Sequence, residues 1–256
     1  MNKKLLFFIL TFFYNIGFSQ TNYIFDNNSD SGDGTWETAT NWNPEGVPGT
    51  NDNITITDYV VSINSDISVN NLSVRSDDFN GRLQVNKVGS LIINGTLTLD
   101  DAKLDIQSDS NEFGSLIING STSFVNGSST RYFRWVNAEN GTPPINDGWD
   151  LIGSPIDQVA ISSVVSDPDL ATNGSNYAIG VFSNDGSTDT ESAMYTMVNS
   201  GDLSGSFSEG IGYSMATDET VTPGTTLDFT GTVKTTDLTV SIDDETATLT
   251  NYGKWN

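Results

Sequence analysis

The chain has 256 residues, no Cys, no His, and 33 acidic against 10 basic side chains, for a formal net charge of −23. Without Cys there is no disulfide stabilisation, so the core alone must hold the fold; without His, a Ser-His-Asp triad, a Cys-His pair and a His-ligated zinc site are all excluded. The charge argues against nucleic acid and anionic membranes as partners, which need a basic face, and favours solubility and divalent cations.

Residues 1–19 read as a signal peptide. Lys3 and Lys4 form a positive start, Leu5 to Phe13 an apolar run, and Gly17 and Ser19 the small residues before a cut between Ser19 and Gln20. The run is too short for a hydrocarbon core of about 30 Å, so cleavage is expected rather than anchoring. No Cys stands at the cut to carry a lipid, and no later segment is apolar enough to span a membrane. The sequence therefore predicts an exported chain, extracellular or on the outer cell surface, with no membrane insertion after cleavage. Loss of Lys3 and Lys4 leaves the mature part at −25.

Asp26 to Gly34 places oxygen-bearing side chains at alternate positions. Asp26, Asn28 and Asp30 fall where an EF-hand has its first three ligands, and Glu37 falls at the twelfth place. Calcium is the one metal this pattern suggests, and no cofactor is otherwise required. The sixth place holds Ser31 where that loop needs Gly, and no flanking helices are predicted, so a polar N-terminal tail is the alternative.

Beyond this point helical periodicity is nearly absent. Short runs of Val, Ile, Leu and Thr alternate with Asn, Asp, Gly and Ser clusters, which predicts an all-β chain of many short strands. Leu83-Gln84-Val85, Leu97-Thr98-Leu99 and Leu104-Asp105-Ile106 alternate as half-buried strands do. Gly89-Ser90-Leu91-Ile92-Ile93-Asn94-Gly95 returns 25 positions later as Gly114-Ser115-Leu116-Ile117-Ile118-Asn119-Gly120. A recurrence of this kind predicts stacked units, here a short parallel β-solenoid of about three coils over residues 54–130. The coils are read as Ile54 to Val74, Leu83 to Leu99 and Leu104 to Val125, with Asn94 and Asn119 at one corner. The alternative makes Asn94-Gly95 a type I′ hairpin turn between Leu91–Ile93 and Leu97–Leu99.

Ahead of the coils stand Gly34-Thr35-Trp36, Asn41-Trp42-Asn43, Gly46-Val47-Pro48 and Asp52-Asn53-Ile54. This order resembles the opening segment of secreted bacterial β-solenoid adhesins, a likeness covering about residues 30–130. Residues 20–53 are then a cap, in which Trp36 and Trp42 plug the open end of the stack rather than meet a ligand.

Arg131-Tyr132-Phe133-Arg134-Trp135 is a basic and aromatic island. Aromatics beside Arg can stack on sugar rings or hold anions, so Arg131, Tyr132, Arg134 and Trp135 are candidate contacts for an extracellular glycan or surface protein. The alternative is a strand joining two domains, with Tyr132 and Arg134 on one face and Phe133 and Trp135 on the other.

From there the period is lost. Gly148-Trp149-Asp150-Leu151-Ile152-Gly153-Ser154-Pro155 precedes Gly210-Ile211-Gly212-Tyr213 and Phe229-Thr230-Gly231. The order is similar to a repeated module of large surface proteins exported by the type IX secretion route of certain Gram-negative bacteria. It implies a β-sandwich-like module over 131–251, with Trp149 as a core anchor. Trp255 lies 106 residues after Trp149, where a second copy would open, so residues 252–256 are expected to begin a truncated second module of an N-terminal fragment. Gly210 and Gly212 lack the Lys and the following helix of a phosphate loop, and are read as tight packing or a bulge.

These features point to a non-enzymatic, exported, adhesin-like or structural protein. The alternative is a carbohydrate-binding or polysaccharide-active β-helix. Against it, the basic residues of the coils, Arg75, Arg82, Lys87 and Lys103, are read as sharing no repeat position.

Overall fold

The computed structural model describes residues 19–27, 34–77, 81–139, 148–182, 195–208, 210–233, 235 and 239. The leader (1–18), Asn28, Asp30 and residues 252–256 lie outside the described residues. The chain is all-β, with mostly parallel sheets in its first half.

The first strand, β1 (Asn22–Phe25), is followed by the short β2 (Trp42–Asn43). Three circuits come next. The first is β3 (Asn53–Thr57), β4 (Val60–Ile63) and β5 (Asp66–Val69). The second is β6 (Asn71–Arg75), β7 (Arg82–Val85) and β8 (Ser90–Ile93). The third is β9 (Thr96–Asp100), β10 (Lys103–Ile106) and β11 (Ser115–Ile118). A fourth opens with β12 (Ser121–Val125) and β13 (Ser129–Asn137).

Each circuit contributes one strand to each of three sheets, and successive circuits pair in parallel. The first sheet holds β3, β6, β9 and β12, the second β4, β7, β10 and β13, and the third β5, β8 and β11. Leu91 pairs with Leu116 and Ile93 with Ile118 in parallel register. Leu97 to Leu99 pairs instead with β6 and β12, so the hairpin alternative is excluded. The step between partners is not constant. It is 25 residues from Leu72 to Leu97 and from Leu91 to Leu116, but 18 from Ile54 to Leu72 and 21 from Leu83 to Leu104. The corners absorb the difference.

Period-two alternation builds the core. Along β3 to β9, every second residue is buried between the sheets, for example Ile56, Val74, Leu83, Leu91 and Leu99. Full burial of each such side chain contributes about 1.5–3 kcal/mol relative to exposure. The corners add side-chain hydrogen bonds to those of the strands, among them Thr96 N donating to Asn71 Oδ1 at 2.7 Å and Asn94 Nδ2 donating to Val69 O at 3.2 Å. Where the chain passes from the first sheet to the second, it turns through Asp58, Asp101 and Asn126, all with positive φ. Asp and Asn are the non-glycine residues that tolerate this region best. Where it passes from third to first, Asn119 Nδ2 donates to Asn94 Oδ1 at 3.0 Å, and Asn94 Nδ2 donates to Ser68 Oγ at 3.1 Å.

The cap closes the first circuit from below. β1 pairs in parallel with β3, and Trp36 N donates to Ser62 O of β4 at 2.9 Å. Trp42 packs edge-on against Phe25 and Trp36, with centroids at 5.0 and 4.7 Å. Its Nε1 donates to Trp36 O at 2.7 Å. Both tryptophans are buried, as expected of a plug.

The second half is antiparallel. It contains β14 (Asp150–Gly153), the single turn α1 (Ile161–Val164), β15 (Thr172–Asn173), β16 (Asn176–Phe182), β17 (Tyr195–Asn199), β18 (Gly212–Met215) and β19 (Gly224–Gly231). One sheet runs β14-β18-β16-β15, with β17 also on β16. Its core side chains Ile152, Ile179 and Met215 meet Val136 of β13 and Leu227 and Phe229 of β19. Trp149 packs on a small separate cluster of Ala171, Ala178 and Ala216, not on this main core. Gly210 has φ +69, and Gly212 has open space beside it, so Gly212 is not a site of tight packing.

The expected boundary between residues 130 and 131 needs correction. It falls inside β13, which pairs in parallel with β10 over Ser129–Tyr132 and antiparallel with β19 over Thr130–Asn137. Tyr132 packs against both cores. The two halves share this strand: Thr130 and Val136 are both buried, and the residues between them are half-buried.

Candidate functional site

The outward face of the second sheet gathers the basic and aromatic side chains of the junction. Strand register sets two rows. Val60, Arg82, Lys103 and Ser129 form one, and Ser62, Gln84, Asp105, Arg131 and Thr230 form the next.

Asp105 is the centre of this face. It sits at an outward position, yet its side chain is only 1% exposed. Arg131 donates to it twice, Nε to Oδ1 and Nη2 to Oδ2, each at 2.9 Å. Arg82 Nε lies 3.5 Å from Oδ2, and Arg131 Nη1 lies 3.9 Å from Asp228. The fork geometry matches two guanidinium N–H groups to one carboxylate. The hydrogen bond with Asp105 is also the main reason that the Arg131 pKa is raised. The Arg131 guanidinium lies 4.7 Å from the Phe133 ring centroid.

The other candidates of the island are engaged as well. Tyr132 OH donates to Gly114 O at 2.7 Å, and burial raises its pKa. Arg134 stacks over Phe113 at 4.3 Å. Trp135 Nε1 donates to Asn137 Oδ1 at 3.2 Å, and Trp135 N donates to Ser108 Oγ at 2.7 Å. Arg131, Tyr132, Arg134 and Trp135 thus sit on one strand, but their polar groups hold the junction together. Strand alternation puts Tyr132 and Arg134 on the side opposite Phe133 and Trp135.

Of the four calcium candidates, Asp26 and Glu37 fall within the described residues. Asp26 follows β1 beside Tyr59, whose OH donates to the Asp26 carbonyl at 3.1 Å. Glu37 lies at the far end of β4, where its Oε1 accepts from Asn64 N at 2.7 Å and Ser65 Oγ at 2.9 Å. Asn28 and Asp30 lie outside the described residues. Among the described residues, no group of three or more acidic side chains could hold a metal ion.

A second ion cluster marks the corner after β10. Lys87 Nζ pairs with Asp109 and lies 3.6 Å from Glu112. Asp109 also accepts from Asn111 N and Glu112 N, both at 2.9 Å. The Lys87 hydrogen bond, then these backbone donors, lower the Asp109 pKa to about 2.

Two relationships were not readable from residue spacing. The role of Asp105 is hinted at by an acid between Leu104 and Ile106, but its Arg partners are 23 and 26 residues away. Arg82 and Lys103, read as sharing no repeat position, are in fact direct register partners on neighbouring strands. Their 21-residue step hides this in a sequence whose visible recurrence is 25. Comparison of the chain with protein-family models, with curated proteins and with solved structures finds no match.

Proposed function

We propose that the chain is an exported, non-enzymatic protein of the cell surface or extracellular space, built as a short β-solenoid followed by a β-sandwich-like module. The observation that carries this reading is the rotation of the chain through three sheets, with successive circuits paired in parallel register, closed below by an aromatic plug. Such a stack offers flat outer faces, and extended faces suit binding or assembly better than bond cleavage. The resemblance of residues 30–130 to adhesin opening segments, and of 131–256 to a type IX surface module, supports an adhesin-like role and that export route. The leader pattern at residues 1–19 supports export itself.

The test is recovery of the protein from its native cells. The proposal expects a mature N-terminus at Gln20 by mass spectrometry and labelling by antibody on intact cells. An uncleaved, intracellular chain would contradict it. Release of reducing sugar from a polysaccharide, abolished by one Asp or Glu substitution, would replace it with the polysaccharide-active reading.

A further inference from the structure

Arg82 and Lys103 are direct partners on adjacent parallel strands, and both side chains are on the outer face of the second sheet. Register partners in neighbouring strands stand about 4.8 Å apart. Like charges placed directly opposite one another destabilise a sheet. The arrangement is the more unusual because acids outnumber bases 33 to 10 in this chain. Arg82 is partly balanced by Asp105 at 3.5 Å. Lys103 is exposed and has no carboxylate partner within 4 Å among the described residues. Folding alone does not call for this pair; an anion bridging the two cations would relieve it.

We propose that Arg82 and Lys103 form a binding site for the carboxylate groups of an acidic polysaccharide lying along this face. This rests on the surface reading above and names its ligand class. Asp105 supports the site from beside it. Its buried carboxylate holds the Arg131 guanidinium by two hydrogen bonds and lies 3.5 Å from Arg82 Nε, which makes no hydrogen bond of its own among the described residues and leaves that guanidinium to meet a ligand. The flanking Ser62 and Ser129 supply hydroxyl groups, which can both donate to and accept from sugar hydroxyls, and Gln84, whose Nε2 donates to Asn86 Oδ1 at 2.6 Å, offers its amide oxygen as an acceptor. One cationic pair suits a polymer with separated carboxylates, whereas a nucleic acid backbone needs many cations in a row. The field of a chain at −23 repels a polyanion at long range. At physiological ionic strength that field is screened beyond about 8 Å, so the local pair decides.

The experiment uses the full chain with polygalacturonate as probe, a neutral galactan as control, and polyglutamate as the acidic polypeptide arm. The wild type should bind polygalacturonate, and bind the other two weakly or not at all. Lys103→Gln should weaken binding about tenfold, the loss of one charge-assisted contact, while Lys87→Gln should leave it unchanged. Lys103→Gln should also unfold at the same or a higher temperature, because it removes the like-charge repulsion. A purely structural lysine would lower that midpoint on substitution. The proposal is overturned if the wild type does not bind polygalacturonate, if Lys103→Gln binds as well as wild type, if polyglutamate binds equally, or if Lys103→Gln lowers the midpoint. None of these results bears on cleavage at Gln20 or on labelling of intact cells, so the surface reading stands or falls separately.

Discussion

Asn119 hands its side-chain amide to the Oδ1 of Asn94, the residue 25 positions earlier at the same corner of the preceding circuit. Asn94 in turn donates to Ser68 Oγ and to Val69 O, at 3.1 and 3.2 Å. One amide therefore links three successive circuits. Asn94→Ala should cost about 1–2 kcal/mol, since it removes these bonds and leaves the Val69 carbonyl with one partner fewer. Asn119→Ala, whose side chain reaches down to one circuit only, should cost less. Urea denaturation of the two variants checks the order.

Gly120 stacks on Gly95 at the next position of that corner. A Cβ at Gly120 would come within 1.9 Å of the Gly95 carbonyl oxygen and 2.6 Å of its carbon, both backbone atoms. Gly120→Ala should therefore destabilise by roughly 2–3 kcal/mol through forced backbone shifts. Gly212→Ala meets nothing within 4 Å and has an ordinary φ, so it should be near neutral. Thermal unfolding of both variants separates crowding at the stack from a general cost of losing glycine.

Asp105 closes the ion network between β7, β10 and β13. Asp105→Ala would leave Arg131 without its fork partner and Arg82 without its nearest carboxylate. The arginine side chains are 24% and 32% exposed, so water offsets part of the loss. We expect about 2–3 kcal/mol, below the usual cost of breaking a fully buried pair. A double-mutant cycle of Asp105→Ala with Arg131→Ala should give a favourable coupling, and additive effects would count against the network.

The pH dependence has a definite sign at Asp109. Its folded pKa is depressed to about 2, so it contributes stability that is fully present above the ordinary carboxylate range. That contribution is lost as pH falls from about 4 through 2. Lys87→Met removes the largest cause of the shift, and the Asp109 pKa should move back up towards the ordinary value. NMR titration of the side-chain carboxyl carbon checks this directly.

Some of this fold was legible in the sequence, and the reasons differ by feature. The stacking of Leu91 on Leu116 could be read because the two circuits have equal length, so the motif repeats intact. The pairing of Arg82 with Lys103 could not, because corner lengths vary and register is set in space by the inward Leu83 and Leu104. Trp36 and Trp42 were legible as a plug, since two bulky aromatics ahead of short strands have few other uses. That β13 has parallel β10 on one edge and antiparallel β19 on the other was not, because β19 lies far along the chain and nothing local to residues 129–137 marks it as a partner. The island of Arg131 to Trp135 was legible as a strand joining two domains, but its partners were not, because Asp105, Ser108, Phe113 and Gly114 come from the previous circuit and Asp228 from β19.

The central claim is the parallel register of successive circuits, and the absence of native cysteine makes it directly measurable. Ile92 and Ile117 are register partners on the outer face of the third sheet. Ile92→Cys combined with Ile117→Cys should form a disulfide on mild oxidation, since partner Cα atoms about 4.8 Å apart lie within the range that a disulfide spans. Ile92→Cys combined with Leu97→Cys should not, because Ile92 points outward from the third sheet while Leu97 points into the core from the first. Ready cross-linking of the first pair and none of the second is the predicted result; the reverse pattern is that of a hairpin at Asn94-Gly95 and would contradict the stack.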